Sequence, residues 1–158
     1  MAGGRLTGMA RWYDDFTPGE RFETAGCTLS EAQILDFAFH YDPQPFHLDQ
    51  EAARDGPFGG LIASGFQTLL VSFRLWYAEG VINAGSLGSP GMDEVRWTAP
   101  VRSGDTLHVE AEVLDARPSG SKPDRGTVVI AYRVVNQAGV DVMTYRVTHI
   151  IRRDPGDG

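Results

Sequence analysis

The apolar positions of this chain change period along its length. Ile34, Phe37, Ala38 and Tyr41 fall at the spacing of one helical face. Ser30-Glu31-Ala32-Gln33 ahead of them has the S-x-x-Q form of a capping box. Pro43 disfavours helical geometry at Asp42, so the pattern predicts a short amphipathic helix ending near His40. Before it, Phe16–Glu20 reads as a turn and residues 21–28 as a short strand. From Asp42 to Gly65 no period holds. Two prolines bracket Gln44, Gly56, Gly59 and Gly60 follow, and a short helical turn is expected around Asp49–Arg54. Phe66–Tyr77 is then apolar around most of its circumference, which predicts a helix buried on several sides.

The second half switches to period two. Leu107, Val109, Ala111 and Val113 alternate with His108, Glu110 and Glu112. Residues 127–135 and 140–152 are two further strands joined by a hairpin turn at Asn136-Gln137-Ala138-Gly139. A fourth run around Met92–Trp97 leads into Pro100–Asp105. The order is therefore strand, helix, long loop, buried helix, then four antiparallel strands. This is an α+β arrangement in which one curved sheet covers one helix. No repeat or linker calls for a second domain, so residues 11–153 form one unit. The Gly-rich residues 1–10 and the tail 154–158 are expected to be disordered.

Composition narrows the function. A formal charge of −7 over 158 residues opposes nucleic acid and anionic membrane surfaces as main partners. The single cysteine, Cys27, cannot close an intramolecular disulfide and reads as a small apolar strand residue; nothing points to zinc. No stretch approaches the ~18 apolar residues of a membrane span, and the N-terminus lacks the apolar core of a secretory signal. A soluble, reduced, cytoplasmic protein is expected.

The candidate chemistry sits in Tyr41-Asp42-Pro43-Gln44-Pro45-Phe46-His47-Leu48-Asp49. Two prolines stiffen a loop that presents one carboxylate and one imidazole, a platform for acid–base work on a single water. Histidine is the side chain whose reference value, about 6.5, lies closest to neutrality. Asp49 reads as a turn or helix-cap residue. Downstream, Leu61-Ile62-Ala63-Ser64-Gly65 runs directly into the apolar helix. A glycine there leaves a bare N–H at a helix N-terminus, where a developing oxyanion is stabilised. Equally, Ser64 reads as an N-cap and Gly65 as a close-packing residue. No G-x-G-x-x-G fingerprint is present, and no metal, flavin or nicotinamide is required.

The run from Phe37 through Asp42-Pro43-Gln44-Pro45-Phe46-His47-Leu48-Asp49 to Phe58-Gly59-Gly60-Leu61-Ile62-Ala63-Ser64-Gly65 resembles the hydratase motif of MaoC-like proteins, the (R)-specific enoyl-CoA hydratases. Their pattern is roughly D-x-N-P-x-H-x-D followed by I-x-H-G. Arg96-Trp97-Thr98-Ala99-Pro100-Val101 and Gly104-Asp105-Thr106-Leu107 are also similar to that family. The resemblance covers about residues 12–152. It implies a hotdog fold, in which a long helix is wrapped by a curved antiparallel sheet, and a homodimer or larger even oligomer with active sites at the subunit interface. It also implies an acyl-CoA thioester as substrate. Asp42 and His47 would activate water, and the Gly65 N–H would polarise the thioester carbonyl. Gln44, Phe46, Ile62 and Ser64 are carried over as substrate-binding positions. Gln44 stands where the family usually has Asn, and Ser64 replaces its His. The family's downstream helix serine falls at Phe73, with Ser72 one place away. Arg96, Arg102, Lys122 and Arg125 are candidate cations for the CoA phosphates. Two other readings stay open: a hotdog thioesterase, and a catalytically silent acyl-CoA-binding subunit.

Overall fold

The computed structural model describes residues 9–156. Of the expected extension and tail, residues 1–8 and 157–158 lie outside them. A 3-10 turn at Tyr13–Asp15 precedes strands β1 (Arg21–Glu23) and β2 (Cys27–Thr28). Helices α1 (Glu31–Tyr41), α2 (Pro45–Leu48), α3 (Gln50–Arg54) and α4 (Gly65–Ala78) follow. Strands β3 (Met92–Trp97), β4 (Thr106–Pro118), β5 (Arg125–Val135) and β6 (Asp141–Arg152) complete the fold. The sheet order is β1-β4-β5-β6-β3, with β2 also paired to β4, and every pairing is antiparallel.

The period-two pattern has its physical basis in this sheet. Leu107, Val109, Ala111 and Val113 of β4 are buried on one face, as are Val128, Ile130, Tyr132 and Val134 of β5. Trp76 of α4 presses onto that face, only 1% exposed, edge-on to Phe22 at 5.4 Å and to Tyr132 at 5.3 Å. Trp76→Ala would leave a void costing about 3–5 kcal/mol. Gly139, with φ of 75°, closes the β5–β6 hairpin in a conformation that L side chains rarely adopt.

Three expectations need correction. Residues 21–28 do not form one strand. The segment breaks at Thr24, whose N–H donates to Val109 O at 2.9 Å and whose Oγ1 accepts from Val109 N–H at 3.0 Å. The loop after Asp42 holds, besides the expected short helix capped by Asp49, a further one that starts at Pro45. Helix α4 is not buried on several sides. It turns Gln67, Thr68, Ser72 and Trp76 inward and leaves Phe66, Leu70, Phe73 and Tyr77 between 48% and 58% exposed. A single sheet covers only one side of a helix. Among the described residues no helix is long and apolar enough to cross a membrane.

Candidate active site

The α1–α2 junction positions two ionisable side chains. Helix α1 starts at Ser30, whose hydroxyl accepts from Gln33 N–H while the Gln33 side chain accepts from Ser30 N–H, the capping box expected from sequence. It stops at Asp42, which leaves helical geometry at φ −149° and ψ 77°, although its N–H still bonds Ala38 O at 3.1 Å. Pro45 occupies the first turn of α2, where its missing N–H costs nothing. His47 follows within that turn, its N–H bonded to Gln44 O at 2.9 Å. Asp49 caps α3, its Oδ1 accepting from the N–H groups of Glu51 and Ala52. The result places His47 Nε2 3.3 Å from Asp42 Oδ2, with His47 4% and Asp42 8% exposed.

The hydrogen bonds around this pair fix the His47 tautomer and favour the Asp42 carboxylate. His47 Nδ1 lies 2.8 Å from Ile62 O, and a carbonyl only accepts, so Nδ1 carries the hydrogen. In the neutral ring Nε2 is then a bare acceptor. Asp42 Oδ2 accepts from Ser64 Oγ at 2.6 Å, and Oδ1 accepts from Gln44 Nε2 at 2.8 Å. Burial alone would raise the Asp42 carboxyl. The Ser64 and Gln44 hydrogen bonds, joined by His47 when its ring is protonated, outweigh that and hold it below the ordinary 3.8. A fixed carboxylate and a bare imidazole nitrogen therefore face the same small volume. A water on the cavity side of the pair can donate one hydrogen to each.

The pair lines a cavity of about 490 Å³. Gln44 and Ile62 are on its wall, as is Gly65, the first residue of α4. Among the described residues the Gly65 N–H has no acceptor, since the Ser64 hydroxyl caps Phe66 N–H at 3.2 Å and Ser64 O serves Thr68 N–H. Phe46 and Ser64 stand behind the wall. Phe46 packs edge-on against His47, ring centroids 4.5 Å apart, and against Phe58. Ser64, 1% exposed, spends its hydroxyl on the α4 cap and on Asp42.

The opposite wall is Trp97–Val101, which sequence reasoning noted only as a strand entry similar to the family's. Ala63 N–H bonds Val101 O at 2.8 Å, tying that wall to the segment before α4. The Trp97 indole lies so close over Gly65 that a Cβ there would overlap the ring. Close packing is thus one demonstrated reason for a glycine at this position. Of the four candidate cations, only Arg102 touches a residue of the cavity wall, Phe58. Arg102 bonds Phe58 O at 2.5 Å, whereas Arg96 bonds Val95 O on its own strand. Lys122 and Arg125 lie at the far end of β4, a strand on the order of 40 Å long, and Arg125 is paired with Asp124. Ser72 does not approach Asp42 or His47; its hydroxyl bonds Tyr145 Oη at 2.6 Å beneath α4.

Comparison with known proteins shows the family and the fold. A family model described as a MaoC like domain matches residues 15–136. The solved structure of the MaoC-like dehydratase from Rhodospirillum rubrum superposes with a TM-score of 0.82 at 39% identity, covering 92% of this chain and 99% of that one. The R-hydratase PhaJ1 from Pseudomonas aeruginosa gives a TM-score of 0.71 at 29% identity, covering 90% of this chain and 86% of that one. The 3-hydroxyacyl-thioester dehydratase Z of Mycobacterium tuberculosis is 32% identical over 113 residues, 70% of this chain and 75% of that protein.

Proposed function

This chain belongs to the MaoC-like domain family and has the hotdog fold, and from that premise we propose that it reversibly hydrates 2-enoyl-CoA thioesters to (R)-3-hydroxyacyl-CoA. The observation that carries this reading is the bare Nε2 of His47, held 3.3 Å from the Asp42 carboxylate by the tether to Ile62 O. A water donating to both groups is oriented and activated at once. His47 takes its proton as the oxygen attacks C3. Electron density moves through C2 to the thioester oxygen, where the Gly65 N–H at the start of α4 receives the charge. His47 then returns the proton to C2 from the same face, so no net proton is consumed. Asp42 stays ionised throughout and stabilises the imidazolium formed between the two steps. Dehydration is the same path reversed.

The assembly follows from what one chain leaves uncovered. Phe66, Leu70, Phe73 and Tyr77 make an exposed apolar stripe along α4, and Met92 and Trp97 are exposed on the edge strand β3. A second copy related by a two-fold axis would cover the stripe with its own and pair the open edge.

The test is loss of enoyl absorbance from crotonyl-CoA. Asp42→Asn and His47→Ala should each lower turnover by about 10²–10⁴-fold with the fold intact. Their combination should cost far less than the product, because the two groups act on one water. Thiol release in place of hydration, or full turnover in either single variant, would overturn the assignment.

A further inference from the structure

An oxyanion taken out of water and given a single N–H stays poorly compensated, so a thioester oxygen at Gly65 calls for a second donor. Most side-chain donors on the wall of the Asp42–His47 cavity are already committed. Gln44 Nε2 donates to Asp42 Oδ1 at 2.8 Å, Thr68 Oγ1 to Ser64 O at 3.4 Å, and Thr98 Oγ1 to Asp141 O at 2.6 Å. His47 is occupied as the acid–base group. Among the described residues the remaining side-chain donor of that wall is the Trp97 Nε1–H, which has no acceptor; its ring meets Phe66 edge-on at 6.0 Å.

The indole stands beside the Gly65 amide. Nε1 and Cε2 are the ring atoms nearest to where a Gly65 Cβ would lie, both well inside van der Waals contact. A Cβ is about 2.5 Å from its own amide nitrogen, so Gly65 N and Trp97 Nε1 are no more than about 5 Å apart. One oxygen about 2.9 Å from each nitrogen fits within that span. The backbone before Trp97 is shaped to hold it there. The register of β3 against β6 shifts between Asp93 and Arg96, and Glu94 in that bulge has a φ of 51°, uncommon for a residue other than glycine. Arg146 of β6 pairs with the Glu94 carboxylate and secures the bulge. Bulges re-aim the side chains beside them, and strained backbone persists where the surrounding structure holds a group in place. After this one, Trp97 returns to register opposite Met143.

We propose that the Trp97 Nε1–H is the second oxyanion donor, so that the thioester oxygen sits between it and the Gly65 N–H, which makes Trp97 a further catalytic residue. The proposal rests on the hydratase reading for its reaction, and two measurements separate the two. Trp97→Phe keeps a ring against Gly65 and removes the donor. With crotonyl-CoA its kcat should fall by about 10²-fold with KM little changed, the lower end of what one such donor contributes because Trp97 is 49% exposed. Benzothienylalanine in place of Trp97 preserves the size and packing of the ring and exchanges the N–H for sulfur. It should lose as much turnover as Trp97→Phe. Wild-type turnover in the benzothienyl protein would overturn the proposal, whatever Trp97→Phe does, since shape would then be all that the position requires. The second measurement needs no turnover. Infrared difference spectra of bound butyryl-CoA, isotope-labelled at the thioester carbonyl, read hydrogen bonding to that oxygen. The carbonyl stretch should lie at lower wavenumber on the wild-type protein than on the benzothienyl protein, and equal positions would overturn the proposal. A shift on a protein that hydrates no enoyl-CoA, crotonyl-CoA included, would leave the donor pair standing and remove the reaction. Hydration with neither a shift nor a rate difference would keep the reaction and remove the donor. Absence of both butyryl-CoA binding and crotonyl-CoA hydration would remove both.

Discussion

Ser64→Ala tests the electrostatics of the site more sharply than removal of Asp42 or His47. One hydroxyl makes two contacts here, donating to Asp42 Oδ2 at 2.6 Å and accepting from Phe66 N–H at 3.2 Å. A hydrogen bond to a charged group contributes about 1.5–3 kcal/mol, and loss of a serine N-cap costs about 1 kcal/mol. The two share one oxygen, so a total of about 2–4 kcal/mol is expected, read from urea midpoints at neutral pH. Loss of the Ser64 bond also removes the foremost contribution that holds the Asp42 carboxyl low, leaving Gln44 and His47 to oppose burial. Because the folded value is depressed, Asp42 adds stability that is present above 3.8 and lost as pH falls through the folded value. In the variant the folded value rises, that contribution shrinks, and the acid limb of the pH–rate profile moves to higher pH. Turnover at neutral pH should fall by about 10²-fold, because the carboxylate is no longer held against His47. Ser64→Thr, which keeps the hydroxyl, should retain most of both properties. An unmoved acid limb together with a wild-type unfolding midpoint would show that the backbone alone positions Asp42.

Three further outcomes are expected. Gly65→Ala should both destabilise the protein and lower turnover, since the new methyl must push the Trp97 indole outward; Trp97→Ala in the same chain should recover the stability but not the rate, and thermal unfolding with initial rates on one preparation decides it. Light scattering at micromolar concentration should show a homodimer or larger even oligomer, and Leu70→Glu, which puts a charge on the exposed stripe of α4, should shift it toward monomer. His149, 6% exposed, is neutral in the folded state down to about pH 4 and protonates near 6.5 when unfolded. Stability should therefore be unaffected by this group above pH 6.5 and decline as pH falls toward 4, by about 3 kcal/mol in all. His149→Gln should flatten that decline in urea titrations at stepped pH.

The local signals of this chain were sufficient for its elements. Ser30 and Gln33 specify a capping box because its partners are three residues apart, and Pro43 ends α1 because a proline restricts only its neighbour. The alternation in Leu107–Val113 announces a half-buried strand because side chains point to alternate faces of any strand. Asp42 and His47 were legible for the same reason, five positions apart on a loop that two prolines stiffen. The rest depends on contacts between segments far apart in the chain, which no spacing encodes. The Ser64 hydroxyl reaches across 22 residues to Asp42, so its part in holding the carboxylate emerges only when the start of α4 is laid beside the end of α1. Trp97 comes to rest on Gly65 because the register of β3 against β6 places it there. A buried hydrogen bond joins Ser72 of α4 to Tyr145 of β6, 73 residues later. Helix α4 reads as apolar all round, yet which half is covered was decided by the sheet. A single curved sheet offers one face to a helix, and the stripe it leaves bare is settled by how that helix is rotated against Trp76 and Tyr132.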